Sequence, residues 1–389
     1  MPEAAAAGPR AAARRLVTSV RDSGLLWTAS VVLDRLVPWG VLGAWPDRFV
    51  APAALAAQLD AILRAWGMPA EHAAITVRHV AWADLHGVDS HGCSMLRHYH
   101  RQFAAGELVI DAPVTVAHDD EATALVDGGG GLGHVPADLA MRLAIAKCRT
   151  AGVAAVAVRN SGHFGAVGAY AAMAAEAGLI GIATTNTREP AVVPTHGTEA
   201  RLGTNPIAVA APATRNPPFL LDMATSTASL GKLTSAWRKG WPVPEGWALD
   251  PDGEAVTNGR LAARHRRLTP LGASAEMGSH KGYGLGAAVE ILSGIVPGAG
   301  ARSRIGHFFL VIDPARFRGD DRFGADVDLL LDSLRACPAA DPAEPVRVAG
   351  DPEHAAALAR ARDGIPLARS VVEDLRAVAR ASGVPFTLA

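Results

Sequence analysis

Between Thr123 and Val158 the chain writes a short apolar run, a cluster of glycines, a long helical stretch and a second apolar run (TALVDGGGGLGHVPADLAMRLAIAKCRTAGVAAVAV). Strand-length runs separated by a turn signal and a segment of 3.6-residue period predict a β-α-β unit. The alternation continues: strand 153–158, loop RNSGHFG, helix 166–177, strand 179–184, then the strand-like runs IAVAAP and FLLDM. A Gly/Pro-rich stretch over 231–279 reads as long loops with some helix. It is followed by a helix over about 283–294, the strand HFFLVID, and helices over 352–363 and 368–382. Upstream, helices are predicted over 53–66 and 70–86, then the loop GVDSHG and a helix from about Ser94 to Ala105. Alternating strands and helices argue for an α/β or α+β domain, and no internal repeat interrupts them.

The glycine cluster invites a dinucleotide-binding reading, because Gly128, Gly130 and Gly133 satisfy G-x-G-x-x-G between a strand and a helix. That fingerprint is completed by an acidic residue at the end of the second strand, where a ribose hydroxyl binds. Here that strand ends in Arg159-Asn160. Four consecutive glycines also satisfy a spaced pattern easily by chance, so a tight strand-to-helix turn is preferred and the Rossmann dehydrogenase is kept as an alternative.

Charge and composition narrow the function classes. The 37 Lys+Arg nearly cancel the 38 Asp+Glu, leaving no global field to draw nucleic acid or an anionic membrane. Aromatic residues at 5% supply few stacking platforms. Cys93, Cys148 and Cys337 lie far apart in no Cys/His metal spacing, which points to a reducing cytoplasm and predicts neither disulfides nor a metal. Residues 1–15 are Ala-, Pro- and Arg-rich and read as disordered. Residues 24–45 are apolar and Trp-rich, but Asp34, Arg35 and Pro38 interrupt them. They suit a surface or interface helix better than a membrane span or a signal peptide.

Four segments carry candidate chemistry, each with a bland alternative. Ser90-His91-Gly92 offers an imidazole beside a hydroxyl, although a lone loop histidine is more often structural. Asn160-Ser161-Gly162-His163-Phe164-Gly165 follows a buried strand, where polar groups commonly face a crevice and glycine permits close approach. Leu202-Gly203-Thr204-Asn205-Pro206 and Leu221-Asp222-Met223-Ala224-Thr225-Ser226 end apolar runs on polar residues, and Asp222 is costly to bury without a partner. His280-Lys281-Gly282-Tyr283-Gly284 sets a point cation at a helix start, an arrangement suited to phosphate. Each alone fits an ordinary loop.

Taken in order, SHG, NSGHFG, LGTNP, LDMATS and HKGYGL resemble the malate/L-lactate dehydrogenase family of the non-Rossmann type. Its members include ureidoglycolate and sulfolactate dehydrogenases, diketogulonate reductase and a reductase of piperideine-2-carboxylate. The resemblance spans about residues 52–385 and extends to Gly246-Trp247-Ala248, Pro270-Leu271-Gly272 and GDPEH…ARDGIPLA. It implies an unusual NAD(P)-binding α/β fold, a mixed sheet flanked by helices with an N-terminal helical part. The parts would be an extension over 1–48, a helical substrate-side domain over 49–122 plus 330–389, and an NAD(P)-binding domain over 123–329. The implied activity is hydride transfer between NAD or NADP and a small 2-oxo/2-hydroxy acid or cyclic imine, in a homodimer that completes its sites across the interface. Ser90, His91 and Asp222 match a charge-relay set with His91 as proton donor or acceptor. His163 matches either an acid/base or a nicotinamide-pocket histidine. Thr185-Asn186-Thr187, Leu221-Asp222-Met223 and His280-Lys281-Gly282 match cofactor-contacting segments. Tyr99 matches a substrate-facing tyrosine, and Thr204 joins it as a substrate-side candidate.

One position departs from the pattern. The family's motif reads SHGxxR, whose arginine grips the substrate carboxylate, and here that place holds Met95. A helix beginning by His91 would line His91, Met95 and Tyr99 on one face and turn Arg97 about 200° away from Met95. Methionine cannot imitate a bidentate guanidinium, so the expected substrate is atypical, larger or more apolar, with His98 on the flank as a polar contact. A catalytically degenerate binding relative is the competing reading.

Overall fold

The computed structural model describes residues 48–299 and 305–388, so the expectations for the segment before Arg48 lie outside the described residues. The chain opens with β1 (Arg48–Val50), α1 (Pro52–Ala65), α2 (Ala70–Leu85), a 3-10 turn (Cys93–Met95) and α3 (Leu96–Ala104). There follow β2 (Thr115–Asp119), β3 (Thr123–Asp127), α4 (His134–Ala151), β4 (Val153–Ser161), α5 (Gly168–Glu176), β5 (Ile180–Thr185), β6 (Ile207–Ala211) and β7 (Phe219–Met223). Next come α6 (Leu230–Lys239), α7 (Gly259–His265) and α8 (Ser279–Glu290), which runs on into a π turn (Ile291–Ile295). The last elements are β8 (Ile305–Ile312), α9 (Ala315–Arg318), α10 (Phe323–Arg335), α11 (Asp351–Asp363), β9 (Ile365–Leu367) and α12 (Arg369–Ala381).

The main sheet has seven strands in the order β2-β3-β4-β8-β5-β6-β7. Only β3 and β4 run parallel, joined through α4; every other neighbour is antiparallel. The sheet is mixed and flanked by helices, and the parallel order of a doubly wound dinucleotide fold is absent from it. The glycine turn corrects the Rossmann alternative directly. The Gly128, Gly130 and Gly133 N–H groups donate to the carbonyls of Arg159, Asn160 and His163. Gly131 donates to Gly128 O, and Gly129 to Asp127 Oδ1. Five donors that a phosphate cradle would present are thus committed to the protein itself. The glycines serve close packing instead: a Cβ on Gly133 would lie 2.3 Å from the Gly162 carbonyl and 3.0 Å from His307 Nε2.

Small side chains set the spacing of the layers. Ala137, Ala140 and Ala144 of α4 and Ala171 and Ala174 of α5 pack on Val126, Val156, Val158, Ala183, Phe309 and Val311 of the sheet. At Gly181 of β5 a Cβ would be 2.6 Å from Ala174 Cβ, so α5 lies almost against the strand. A second core joins α1, α2 and α3 to β9 and α12 through Leu55, Leu59, Ile62, Tyr99, Leu375 and Val378. β1 pairs antiparallel with β9, Arg48 opposite Leu367, and joins the segment before α1 to that before α12. Element ends follow local chemistry: Pro opens α1, Gly152 ends α4 at a φ of 82°, and the Ser229 and Asn258 side chains cap α6 and α7.

Three boundaries differ from expectation. β4 runs on through Arg159-Asn160-Ser161 to pair with β8, so the loop proper begins at Gly162. α8 starts at Ser279, which puts His280 and Lys281 in its first turn. His91 stands outside any helix, because Gly92 adopts φ −91° and ψ −145° and only the 3-10 turn and then α3 follow. His91, Met95 and Tyr99 therefore do not share one α-helical face.

Gly133→Ala is expected to destabilise the protein by about 2 kcal/mol, as forced overpacking does, seen as a lower Tm without any cofactor. A phosphate-binding turn would leave that Tm unchanged and lose cofactor affinity alone.

Candidate active site

Ser90, His91 and Gly92 occupy the turn between α2 and α3, and a buried carboxylate holds that turn from within. Asp84 Oδ2 accepts the Cys93 N–H at 2.7 Å. Gly92 packs so tightly that a Cβ would fall 1.9 Å from Asp84 Oδ1. From outside, Arg360 of α11 donates to the Asp84 carbonyl and to both carboxylate oxygens of Asp89. Burial pushes the Asp84 carboxyl up to about 7. The sequence reading missed Asp84 and Arg360; the available signal was an acid inside the apolar stretch AWADL.

His91 Nδ1 lies 2.8 Å from Ser90 Oγ, and its ring stacks against His163 with centroids 5.5 Å apart. His163 receives two contacts on Nδ1, the Tyr99 hydroxyl at 2.7 Å and the Gly165 N–H at 3.3 Å. An amide N–H only donates, so this network assigns Nδ1 as the acceptor and puts the ring proton on Nε2. Burial lowers the His91 pKa below its ordinary 6.5; it lowers that of His163 well below, helped by the imidazoles of His91, His98 and His307. Burial raises the Tyr99 phenol, which stays a hydrogen-bond donor.

A buried histidine that the sequence reading did not single out links this end to the β5 terminus. His307 of β8 stacks on Phe164 at 4.1 Å and contacts Ser161 Oγ through Nε2 at 2.8 Å. Its Nδ1 meets Thr185 Oγ1 at 2.8 Å. Thr185 Oγ1 spends its proton on the Asn186 and Gly306 carbonyls, so it accepts from His307 Nδ1–H. Burial drops this imidazole to about 3, making it a permanently neutral connector.

Beyond Thr185, Asn186 Nδ2 and Asn205 Nδ2 donate to the two oxygens of Glu290 at 3.0 and 2.9 Å. Asn186 Oδ1 accepts the Gly306 N–H at 2.9 Å. Asn205 sits at a φ of 35°, rare for a residue with a Cβ, and its buried Oδ1 has no partner. A Cβ on Gly203 would lie 1.9 Å from Thr187 Oγ1 and 2.6 Å from Asn205 Oδ1, so both oxygens press against the glycine and no side chain fits there. The half-buried Thr204 accepts the Thr225 N–H and hydroxyl on its carbonyl, tying LGTNP to LDMATS. Gly282 and Gly286, one turn apart, let α8 lie on the Leu271 backbone and Thr225. His280 and Lys281 stay exposed in the first turn of α8.

The candidates therefore converge in two joined clusters, with exceptions. Asp222 accepts the Gly168 N–H at 2.7 Å at the start of α5, and burial raises its carboxyl to about 6. Among the described residues no hydrogen bond joins Asp222 to Ser90 or His91. Leu221 and Met223 alternate to the other face of β7, half-buried. Met95 packs against the helical core, and His98 tilts against Tyr99 at 6.1 Å. Arg97 is exposed and ion-paired with Asp374, so it does point away. Among the described residues no His/Cys/Asp/Glu group could hold a metal ion, and no helix is long and apolar enough to cross a membrane.

The arrangement matches known proteins along its length. A sequence profile of the malate/L-lactate dehydrogenase family matches residues 50–376. The chain belongs to this family. It is 40% identical over 334 residues to a malate dehydrogenase of Pyrococcus horikoshii, covering 83% of this chain and 92% of the relative. It is 35% identical over 335 residues to an L-sulfolactate dehydrogenase of Methanocaldococcus jannaschii, with 83% and 94% covered. Among solved structures, the malate dehydrogenase of Pyrococcus horikoshii superposes with a TM-score of 0.80 at 36% identity, covering 89% of this chain and 99% of that one. The delta1-piperideine-2-carboxylate reductase of Pseudomonas syringae gives 0.75 at 29% identity, covering 85% and 99%. The family is one of dehydrogenases and reductases, and this chain is an oxidoreductase of the non-Rossmann type.

Asp84 makes stability pH-dependent with a definite sign. Its folded pKa of about 7 exceeds the ordinary 3.8, so its contribution is complete below the lower value and is lost as pH rises through the upper one. Asp84→Asn keeps an acceptor for Cys93 without the charge. Between pH 5 and 8 the Tm of the wild type is expected to fall relative to that variant, and parallel Tm curves would rule the mechanism out.

Proposed function

We propose that this protein transfers a hydride between a nicotinamide cofactor and a 2-oxo/2-hydroxy acid or cyclic imine, with His91 as the proton donor or acceptor. The observation that carries the reading is the stacked pair of neutral imidazoles: His91 backed by Ser90, and His163 presenting Nε2–H because Nδ1 is engaged. We assign the cofactor to Thr185-Asn186-Thr187, to Leu221 and Met223, and to His280-Lys281-Gly282, whose exposed Lys281 at a helix start suits phosphate. When bound, the nicotinamide supplies or removes the hydride. His91 moves the accompanying proton, and His163 holds the reacting oxygen or nitrogen by a hydrogen bond from Nε2. Asp222 acts at a distance, fixing β7 against the start of α5.

In this reading residues 49–122 with 330–389 form the substrate side and 123–329 the cofactor side. Support comes from the core that unites α1–α3 with α12. Tyr99, His98, Thr204 and Met95 border the substrate, and Met95 in place of arginine favours an acid that is atypical, larger or more apolar. The exposed Ile291, Ile295 and Val296 suit a homodimer interface. Three free cysteines suit the cytoplasm.

The reading is tested by NADH and NADPH fluorescence titrations and a turnover screen over 2-oxo acids, 2-hydroxy acids and cyclic imines. Absence of saturable binding to both cofactors would favour a non-catalytic relative. His91→Ala is expected to keep cofactor affinity and lower kcat about a hundredfold or more, whereas Lys281→Ala weakens cofactor binding. With hydroxy acids the acid limb of kcat/KM should fall below pH 6.5, since the lowered His91 pKa keeps the base form available there.

Met95→Arg is expected to raise kcat/KM for pyruvate or oxaloacetate at the expense of the natural substrate. No gain with simple 2-oxo acids would dismiss the atypical-substrate reading.

A further inference from the structure

Glu290 closes α8 and divides its carboxylate between two loops, each of which reaches it with an amide nitrogen. Backbone groups dictate which way each amide faces. The Gly306 N–H donates to Asn186 Oδ1 at 2.9 Å, so the other end of that amide is Nδ2, which meets Glu290 Oε1 at 3.0 Å. Asn205 Nδ2 donates to the Gly286 carbonyl at 3.0 Å as well as to Glu290 Oε2 at 2.9 Å, an orientation that a flipped amide would lose. Position 290 therefore faces a donor on each side. An ionised carboxylate only accepts and satisfies both, whereas its amide isostere cannot. The partners lie in segments that matter. Asn186 follows the end of β5, and Asn205 precedes β6 at a φ of 35°, a conformation that persists only where its surroundings hold it. The π turn after Glu290 adds a second tie to β5, with Ser293 Oγ 2.7 Å from Thr184 Oγ1. A Cβ on its Gly294 would lie 2.6 Å from Glu290 Oε1 and 3.1 Å from Asn186 Nδ2, so glycine is what lets carboxylate and amide meet.

Resting on the proposed function, we propose that Glu290 is a positioning residue for the cofactor: by accepting from both asparagines it holds the Thr185–Thr187 segment in register with α8, whose first turn carries Lys281. Glu290 acts through these partners and needs no contact with the cofactor. Both ends of the Asn186 amide are engaged by the protein, so what Asn186 contributes is the placement of its segment. Glutamine at position 290 would set an amide nitrogen against an asparagine nitrogen, donor against donor, and part the two segments. The fault is repairable by exchanging the roles. Asn186→Asp offers an acceptor to the new nitrogen, still accepts the Gly306 N–H, and leaves the net charge of the pair unchanged.

The test is a double-mutant cycle read by NADH and NADPH fluorescence titration, with KM and kcat measured alongside. Glu290→Gln is expected to raise the Kd and KM of the preferred cofactor about tenfold, with kcat at saturating cofactor within about twofold of wild type. Asn186→Asp alone, which sets carboxylate against carboxylate, should weaken binding at least as much. The double variant should return to within about threefold of the wild-type Kd, a non-additivity characteristic of side chains in direct contact. A merely structural role would lower Tm and the active fraction while leaving the Kd of the folded protein alone. That result, a wild-type Kd in Glu290→Gln, or losses that add in the double variant would overturn the proposal. Where Glu290→Gln does not fold, the double variant decides: folding with near-wild-type affinity supports the tie, and failure to fold or to bind refutes it. A wild type that binds neither cofactor saturably fails the proposed function itself and takes this proposal with it, whereas failure confined to the variants leaves that function standing.

Discussion

Backbone hydrogen bonds between the glycine turn and the end of β4 are the constraint on which the rest depends. Gly128, Gly130 and Gly133 donate to Arg159, Asn160 and His163, so two loops at one end of the main sheet's parallel strand pair are zipped together. That zip determines where α4 begins, where His163 points, and which side chains lie beneath it. It also explains why the turn needs glycine at positions of ordinary φ as well as positive φ. Gly129 and Gly130 take φ of 62° and 81°, whereas Gly133 is excluded from any Cβ by the Gly162 carbonyl. The same pattern that elsewhere wraps a pyrophosphate is here consumed internally, and ligand chemistry moves to other loops.

The site is assembled from neutral, heavily buried imidazoles whose roles are assigned by their partners. His307 is donor on one nitrogen and acceptor on the other, between Thr185 and Ser161, and His163 is an acceptor on the nitrogen that Tyr99 touches. Burial keeps both uncharged, so orientation rather than charge is what these rings contribute. Glu290 extends the same logic by splitting its two oxygens between Asn186 and Asn205. The π turn begins at the next residue, and a Cβ on its Gly294 would be 2.6 Å from Glu290 Oε1. Irregular helix and glycine together let a carboxylate sit between two loops.

Much of the fold was legible in the sequence because long periodic segments such as 134–151 and bounded apolar runs such as β8 carry their signal in the residues. The failures have physical causes. β2 is exposed along its length, so no alternation marks it, and β1 and β9 are three-residue strands defined by pairing alone. α10 was missed because Asp328, on its inner side, is buried to accept the Arg215 and Asn216 N–H groups and breaks the apolar stripe. In the site, motif order found His91, His163, Tyr99 and the Asn186 segment. Arg360 acts through close approach of distant segments, which no local pattern encodes, and Asp84 left only the faint signal of an acid inside an apolar stretch. The helical-face argument for Met95 failed at Gly92, where the tight fit over Asp84 forbids a helix from starting at His91.

Arg360 grips the loop that carries His91 from a helix more than two hundred and fifty residues later in the chain. The β1–β9 pairing and the Trp66–Ser382 contact close the same region across comparable separations. Contacts of such range make α1 to α3 wait for α11 and α12, which slows folding. During synthesis on the ribosome, α1 to α3 emerge with their apolar faces uncovered and must be kept from aggregating until α11 and α12 arrive. The histidine loop is therefore made well before the helix that gives it its working shape.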